Sequence, residues 1–365
     1  MKARIRKLVF EPGRRIIVIS DIHGNLPYLR GLLEKLRFCG RDYLVFDGDM
    51  LEKGEDSLGT LRFIMELCRG GNVFAVCGNC DGWHTLLRDS TPEMDRSTLD
   101  YIANSAHGWH AGLLRQMCDE TGLRVTPDSD LGGIKRALEG NYGQMFDFLD
   151  SLPHVIETPD YTFVHGGLSD GAPETWDAAK CMKNDDFMGQ GRSFDKWVIV
   201  GHWPVMLYGG GIVCANPIID RQRHIISIDG GCVLKDDGQL NGLIIPCAGS
   251  EDFSWEYYDA FPRRRALTAQ TASEKSWYIR WGDNRVRVLR HGEEFCMCEH
   301  KRTGYRMEIL TKYLTPAPEG DYITNDCTDY RLPVEPGDEL SIIEETSRGV
   351  FAKKNGVSGW YFGEI

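Results

Sequence analysis

Six short apolar runs punctuate the first two-thirds of the chain: RIIVIS (15–20), DYLVFD (42–47), NVFAVC (72–77), YTFVHG (161–166), WVIVGH (197–202) and IISIDGG (225–231). They are rich in Val, Ile, Phe and Tyr, and most lead into Gly, Asp, Asn or His. That is the pattern of buried strands ending at turns. Between the first three runs, apolar residues fall three and four apart: Leu26, Leu29, Leu33 and Leu36, then Leu58, Leu61, Ile64, Met65 and Cys68. This spacing gathers them on one face of a helix. Strand alternating with helix predicts an α/β architecture with both sheet faces covered.

Residues 84–150 break the alternation. STLDYIANSAHGWHAGLLRQMCDE and GGIKRALEGNYGQMFDFLDSL read as helices with no strand between them. They form an insertion that either walls a cleft or packs as plain helical bulk. After Pro246 the pattern changes again. EDFSWEYYDAFPRRRALTAQTASEKS is polar and irregular, and reads as a connector. WYIRWGDNRVRVLR, YRMEILTKYL, DELSIIEE, GVFAKKNG and GWYFGEI are short alternating stretches with Gly or Asn-Gly turns, which predict a small all-β module. The chain therefore divides into an α/β domain over 1–250, with the helical insertion at about 84–150, and a connector with a β-rich module over 251–365.

Charge narrows the partners. The chain carries 42 basic and 54 acidic residues, a net charge of −12. Such a chain repels a phosphate backbone, which excludes general nucleic-acid binding but leaves room for a local basic pocket. MKARIRKLVFEPGRR is basic but lacks the apolar core of a signal peptide. No stretch approaches the roughly 20 apolar residues that span a bilayer. The expectation is a cytoplasmic protein with no membrane partner. Twelve cysteines over this length do not make the dense framework of a small secreted scaffold, so most read as reduced and buried.

The strand ends carry the chemistry. SDIHGN places Asp21 and His23 two apart; in extended backbone both side chains would point the same way and face one ion. FDGDMLEKG places Asp49 after the second run, CGNCD places Asn79 after the third, FVHGG gives His165 and VGHWP gives His202. Ligand sites of α/β sheets form at the carboxyl ends of strands, so five strand ends would converge on one rim. Each residue alone is an ordinary turn or cap residue. Five strands ending this way together form a constellation.

In this order the motifs resemble the calcineurin-like metallophosphoesterase superfamily, and the GHWP motif resembles its phosphoprotein-phosphatase branch. IISIDGGCVLKDDGQLNGLII resembles the closing hairpin of that branch. The resemblance covers about residues 14–247. It implies a sandwich of two sheets flanked by helices, with two metal ions on the rim. Asp21 and His23 would bind one ion, Asn79, His165 and His202 the other, and Asp49 would bridge both. Two divalent ions about 3.5–4 Å apart share a water, lower its pKa and hold a hydroxide that attacks phosphorus in line. Mixed oxygen and nitrogen donors suit Mn²⁺, with Fe or Zn²⁺ as the other choices. The implied activity is two-metal hydrolysis of phosphate esters, foremost that of a serine/threonine protein phosphatase. A phosphodiesterase or dinucleotide polyphosphate hydrolase is the second reading. A weakly active metal- and phosphate-binding protein acting through its β module is the third. The partner is a phosphorylated protein or small molecule.

The chain departs from that branch at two positions. Lys53 stands where the branch has Arg, and a point charge replaces a planar fork. Arg192, Arg221 or Arg223 would have to help hold phosphate, and Arg192 is the chosen candidate. Glu52 stands where the family has the acidic residue backing the general acid. That acid, usually His, is Cys80 here. A thiol with a pKa near about 8.5 can give a proton but is not the usual acid. His84 either takes that role or is a surface residue. Cys77 and Cys80 form a C-x-x-C with no second pair at zinc-ribbon spacing. CMCEH, with Cys296, Cys298 and His300, either binds a metal or simply alternates along a strand. The tail from about 300 resembles bacterial SH3-like modules through VEPGDELSIIEETSRGVFAKKNGVSGWYFGEI. Its Trp360 and Tyr361 either line a groove for a peptide or protein partner or close a small barrel.

Overall fold

The computed structural model describes residues 1–89, 91, 94–104, 110 and 112–365. The apolar runs become strands and the spaced leucines become helices. In chain order these are β1 (Ile5–Lys7), β2 (Ile16–Ile19), α1 (Leu26–Lys35), β3 (Tyr43–Asp47), α2 (Ser57–Cys68), β4 (Val73–Val76), α3 (Thr85–Arg88), α4 (Asp95–Asn104), α5 (Leu113–Glu120), α6 (Leu131–Ser151), β5 (Val155–Glu157), β6 (Tyr161–Phe163), α7 (Ala178–Met182), β7 (Trp197–Val200), β8 (Val213–Cys214), β9 (Ile218–Asp220), β10 (Ile225–Ser227), β11 (Leu240–Ile245) and β12 (Ser254–Tyr258).

Strand β2 shows why two sheets form. Its four residues are all buried, but neighbours point to opposite faces. Ile16 and Val18 meet Val45, Ile156, Phe163, Ile199, Ile226 and Leu243. Ile17 and Ile19 meet Leu29 and Leu32 of α1 and Leu61 and Ile64 of α2. Each fully buried side chain of this size contributes about 1.5–3 kcal/mol. One sheet runs β1-β5-β6-β7-β10-β9 and the other β12-β11-β2-β3-β4. The core between them is the expected sandwich. The helices lie against the other face of β2. The loops after β2 and β3 run straight into helix caps: Asn25 Oδ1 accepts from Tyr28 N at 3.3 Å and Asp56 Oδ1 from Gly59 N at 2.7 Å.

Two expectations fail here. The closing hairpin does not form, because β10 pairs parallel with β7 and β11 pairs antiparallel with β2 in the other sheet. The connection over 228–239 is far longer than a hairpin turn and carries the chain across the sandwich. The connector after Pro246 is not irregular. It contains β12, antiparallel to β11, with Tyr258 edge-on to Tyr28 of α1 at 5.4 Å. An edge strand with few buried positions reads as polar in sequence.

The chain divides into two compact units: Met1–Pro204 with Pro217–Leu234 and Gly238–Asp259, then Val205–Asn216 with Lys235–Asp237 and Ala260–Ile365. The division is not one cut near 250, because two short segments from earlier in the chain belong to the second unit. That unit adds β13 (Arg263–Arg265), β14 (Tyr278–Ile279), β15 (Arg285–Arg290), β16 (Phe295–His300), β17 (Arg306–Leu310), β18 (Leu314–Pro316), β19 (Tyr322–Thr324), β20 (Cys327–Thr328), β21 (Glu339–Thr346), β22 (Gly349–Lys354) and β23 (Val357–Tyr361). It is all-β apart from single turns of helix. It holds two five-stranded sheets, β17-β16-β15-β19-β18 and β13-β21-β22-β23-β8, with a β14-β20 pair. Tyr361 is fully buried and its hydroxyl donates to Thr268 O at 2.7 Å, so it is a core residue and not a groove wall. Among the described residues, no helix is long and apolar enough to cross a membrane.

Candidate metal centre

The backbone leaves extended geometry as soon as β2 ends. Asp21 (φ 55°) and His23 (φ 50°) are left-handed, and so are Asp49 (48°), Glu52 (69°), Lys53 (67°) and His202 (64°). Each non-glycine residue held there costs about 1–3 kcal/mol, and such strain persists where surrounding structure over-determines it. Backbone bonds between strand-end loops do this. Asp21 N donates to Gly48 O at 3.0 Å, His23 N to Asp49 O at 3.0 Å and Gly24 N to Met50 O at 2.9 Å. Asp21 and His23 therefore do not share the face of an extended strand, as their spacing predicts. Two left-handed turns bring them together, with His23 Nε2 3.8 Å from Asp21 Oδ1.

Asp49 lies at the middle. His165 Nε2 is 3.2 Å from its Oδ1 and His23 Nε2 is 3.9 Å from its Oδ2. Cys80 N donates to Asp49 Oδ1 at 2.7 Å, and His202 N donates to Asp21 Oδ2 at 3.0 Å. Donor atoms of Asp49, His165 and His202 lie within 4.8 Å of one another, and so do those of His23, Asp49 and Cys80. Asp49 belongs to both groups. The loops approach this closely because two turns are glycine. A Cβ on Gly78 would sit 2.2 Å from Asp49 N, and one on Gly48 (φ 84°) 2.6 Å from the His165 ring.

Buried lone pairs decide whether metal ions fit here. Among the described residues, Asp21 Oδ1, His23 Nε2, Asn79 Oδ1 and His165 Nε2 are buried without a well-formed hydrogen bond. Unmade bonds at buried polar atoms cost about 1–3 kcal/mol each, and metal coordination would satisfy them. The outer ring atoms are spoken for: His165 Nδ1 bonds Asp47 O at 2.8 Å, and His202 Nε2 bonds Asp185 Oδ1 at 2.7 Å. Such contacts orient an imidazole toward a metal and set its tautomer. Burial, with Lys53 behind it, pushes His23 down to about 3. Burial, with His165 behind it, pushes His202 down to about 4. Both are neutral at physiological pH, the form that ligates. Burial raises the Asp49 carboxyl, but His165, His23 and Lys53 outweigh it and hold it well below the carboxylate range. Asp21, Asp47, Asp49, Asp81 and Asp229 are all at most 2% exposed. Burial raises the carboxyls of Asp21, Asp47, Asp81 and Asp229, and a cation nearby would favour their charged, ligating form. The residues present fit divalent ions.

The calcineurin-like phosphoesterase family profile matches residues 14–229, more than half of the chain. The chain belongs to that family. The family is one of dinuclear metal-dependent phosphoesterases. Two curated relatives are named symmetrical bis(5'-nucleosyl)-tetraphosphatase. The one from Methylococcus capsulatus is 45% identical over 168 residues, which is 46% of each chain. The one from Actinobacillus succinogenes is 42% identical over 164 residues, 44% of this chain and 46% of the relative. The match thus spans about half the length of these relatives. A solved serine/threonine phosphatase from Saccharomyces cerevisiae aligns over 72% of this chain and 85% of its own, at 14% identity and a TM-score of 0.42.

The residues expected to handle substrate are placed unevenly. Lys53 stays at the centre. Burial works against its charge, but the Cys80 sulfur, Asp49 and Asp21 outweigh it and raise the ammonium above its ordinary value. Arg192 does not join it. Its guanidinium bonds Leu168 O, bonds Ser169 O at 3.1 Å and pairs with Asp170 at 3.2 Å, bracing the loop beyond His165. Arg223 is paired with Asp220 at 2.6 Å, and Arg221 donates to Glu251 O at 3.1 Å. Glu52 does not back Cys80 either. Its oxygens accept from Tyr101 Oη at 2.5 Å and Leu113 N at 2.9 Å, one from α4 and one from α5. The insertion helices therefore dock on the centre through Glu52. The stretch between α4 and α5 includes 105–109 and 111, which lie outside the described residues.

Cys80 is 4% exposed, and burial, then Asp49, push its thiol well above its ordinary value. His84 is 3% exposed and bound to Asp150 of α6 at 2.7 Å, so it is neither a surface residue nor a free acid. Sequence reasoning passed over Asp81. Its Oδ1 accepts from Met50 N and Leu51 N at 2.9 and 3.2 Å, and its Oδ2 from Gly78 N at 2.9 Å. It clamps the Asp49 loop to the Asn79 loop. Asp229 was also missed, though it follows β10 by two residues as Asp49 follows β3; the same strand-end signal would have found it.

Proposed function

We propose that this phosphoesterase cleaves phosphoanhydrides, with dinucleoside polyphosphates as its substrate class. One observation carries the reading. His84, the imidazole next along the chain from Cys80, is bound to Asp150, and the carboxylate that would back an acid at Cys80 is committed to Tyr101 and Leu113. A serine or threonine phosphoester leaves as a basic alkoxide and needs a proton, a contribution of roughly 10²–10⁴-fold. A nucleotide phosphate leaves without one. The site suits the second leaving group, and the names of the two curated relatives support the choice.

Asp21, His23 and Asp49 would hold one ion, and Asp49, Asn79, His165 and His202 the other, with Mn²⁺ the fitting choice for mixed oxygen and nitrogen donors. Bound there, the pair supplies Lewis-acid polarisation and activates water at neutral pH. Lys53 adds fixed positive charge beside the phosphates. Asp81 keeps the two ligand loops in register, and Glu52 is a positioning residue that seats α4 and α5. In the tail, the β21–β23 meander supports an SH3-like reading of that sheet. The test is a comparison of kcat/KM for diadenosine tetraphosphate, p-nitrophenyl phosphate, an aryl diester and a phosphopeptide on Mn²⁺-loaded protein. The expected order puts the dinucleotide at least about tenfold above the phosphopeptide. A phosphopeptide that outruns the dinucleotide overturns the proposal.

A further inference from the structure

Two cavities border the centre within the first unit. One, of about 420 Å³, is lined by Asn79, Gly82, Trp83, Leu86, Leu149 and Met182, among others. The second, of about 410 Å³, is lined by Gly24, Asn25, Pro27, Tyr28, Gly54 and Val233, among others. They share no residue. The first touches the centre at Asn79. The second touches it at Gly24 and Gly54, the neighbours of His23 and Lys53. Both volumes fall in the small-molecule range.

Resting on the dinucleotide reading, we propose that these cavities are two nucleoside subsites flanking the cleavage point, with Trp83 stacking on one base and Tyr28 on the other. Trp83 is 37% exposed, yet its indole is fixed. It stacks on Tyr101 with ring centres 4.8 Å apart and planes 9° from parallel, and Tyr101 is itself held by Glu52. A rigid aromatic face beside Leu86, Leu149 and Met182 suits a base, because every base presents a π-face. Tyr28 is braced edge-on by Tyr258, and Pro27 and Val233 line the same cavity.

Charge argues against further phosphate in either cavity. In the first, Arg4 donates to Leu152 O at 2.7 Å, the Met1 ammonium lies 3.9 Å from Asp177 and Asp150 adds negative charge, and the charged side chain lining the second is Glu55. Phosphates belong at the centre with Lys53, and the uncharged ends of the substrate belong in the cavities. A substrate with one nucleoside fills one cavity, and a substrate with two fills both.

The test uses the full chain loaded with Mn²⁺. Trp83→Ala, Trp83→Phe and Tyr28→Ala are compared by the ratio of kcat/KM for diadenosine tetraphosphate to that for p-nitrophenyl phosphate. Each alanine variant is expected to lower the ratio about 5- to 100-fold through KM, and Trp83→Phe to restore most of it. A ratio unchanged within about twofold in Trp83→Ala overturns the assignment of that cavity. A second readout needs no turnover: tryptophan quenching by diadenosine tetraphosphate in chelator-treated protein, lost in Trp83→Phe. If wild type cleaves the aryl ester but not the dinucleotide, the substrate reading fails, and the subsites then stand or fall on that quenching alone.

Discussion

His165 in the first unit and His300 in the second are both buried, at 0% and 1% exposed. Both sit near donors of metal-ligand type. Their surroundings treat them differently. His300 Nδ1 bonds Thr303 Oγ1 at 2.8 Å and Nε2 bonds Asp283 O at 2.9 Å, so the ring is fully used. Cys296 and Cys298 pack into the apolar core of the same sheet. CMCEH is thus an alternating strand with a satisfied histidine. His165 bonds Asp47 O through Nδ1 and leaves Nε2 without a well-formed partner, beside Asp21 Oδ1, which also lacks one. The contrast teaches that residue type does not make a ligand. Donors that converge on one point, with buried lone pairs the protein leaves unmade among them, do.

The sharpest way to break the comparison is Asp49→Asn. It removes the shared carboxylate and should lower dinucleotide hydrolysis by at least about 10³-fold, a loss on the scale of removing a central electrostatic group. Elemental analysis should find less bound metal in that variant and an unchanged content in His300→Gln. Full activity in Asp49→Asn would end the two-metal assignment. Next comes metal removal. Mn²⁺ at 100 times its Kd should stabilise chelator-treated protein by about 2.7 kcal/mol in calorimetry. Hydrogen exchange should show the added protection around His165 and none around His300.

Smaller effects sharpen the picture. Glu52→Ala strands Tyr101 Oη and Leu113 N, each buried bond costing about 1–3 kcal/mol, and should lower Tm and reduce hydrolysis by about tenfold. Glu52→Gln should recover most of both. Cys80→Ser should change dinucleotide hydrolysis by less than about tenfold, because the leaving group needs no proton. Cys80→His should raise phosphopeptide hydrolysis more than dinucleotide hydrolysis; an unchanged ratio would mean another acid already acts. Smallest of all for activity is His300→Gln, which should lower stability by about 1–3 kcal/mol and leave hydrolysis alone.

Much of the first unit is legible along the chain. Runs such as RIIVIS and DYLVFD announce strands because burial on both faces demands continuous apolar residues. Asp21, His23, Asp49, Asn79, His165 and His202 are legible because they follow those runs. The left-handed turns at Asp21 and His23 are not, since they are imposed by carbonyls of the β3 loop. The fate of Arg192 and Glu52 is equally hidden. Each is committed by partners from other segments, Leu168 and Ser169 for one, Tyr101 and Leu113 for the other. The split of β10 and β11 between two sheets depended on which strands, β7 and β2, were free to receive them.

By itself, then, the order of residues determined where strands end and which donor types stand there, because periodicity and side-chain chemistry are local properties. Only the tertiary structure decided which donors are left unsatisfied and therefore able to hold metal. Satisfaction depends on partners brought from elsewhere in the chain. A histidine after a strand looks the same at 165 and at 300, until packing supplies the second hydrogen bond to one ring and withholds it from the other.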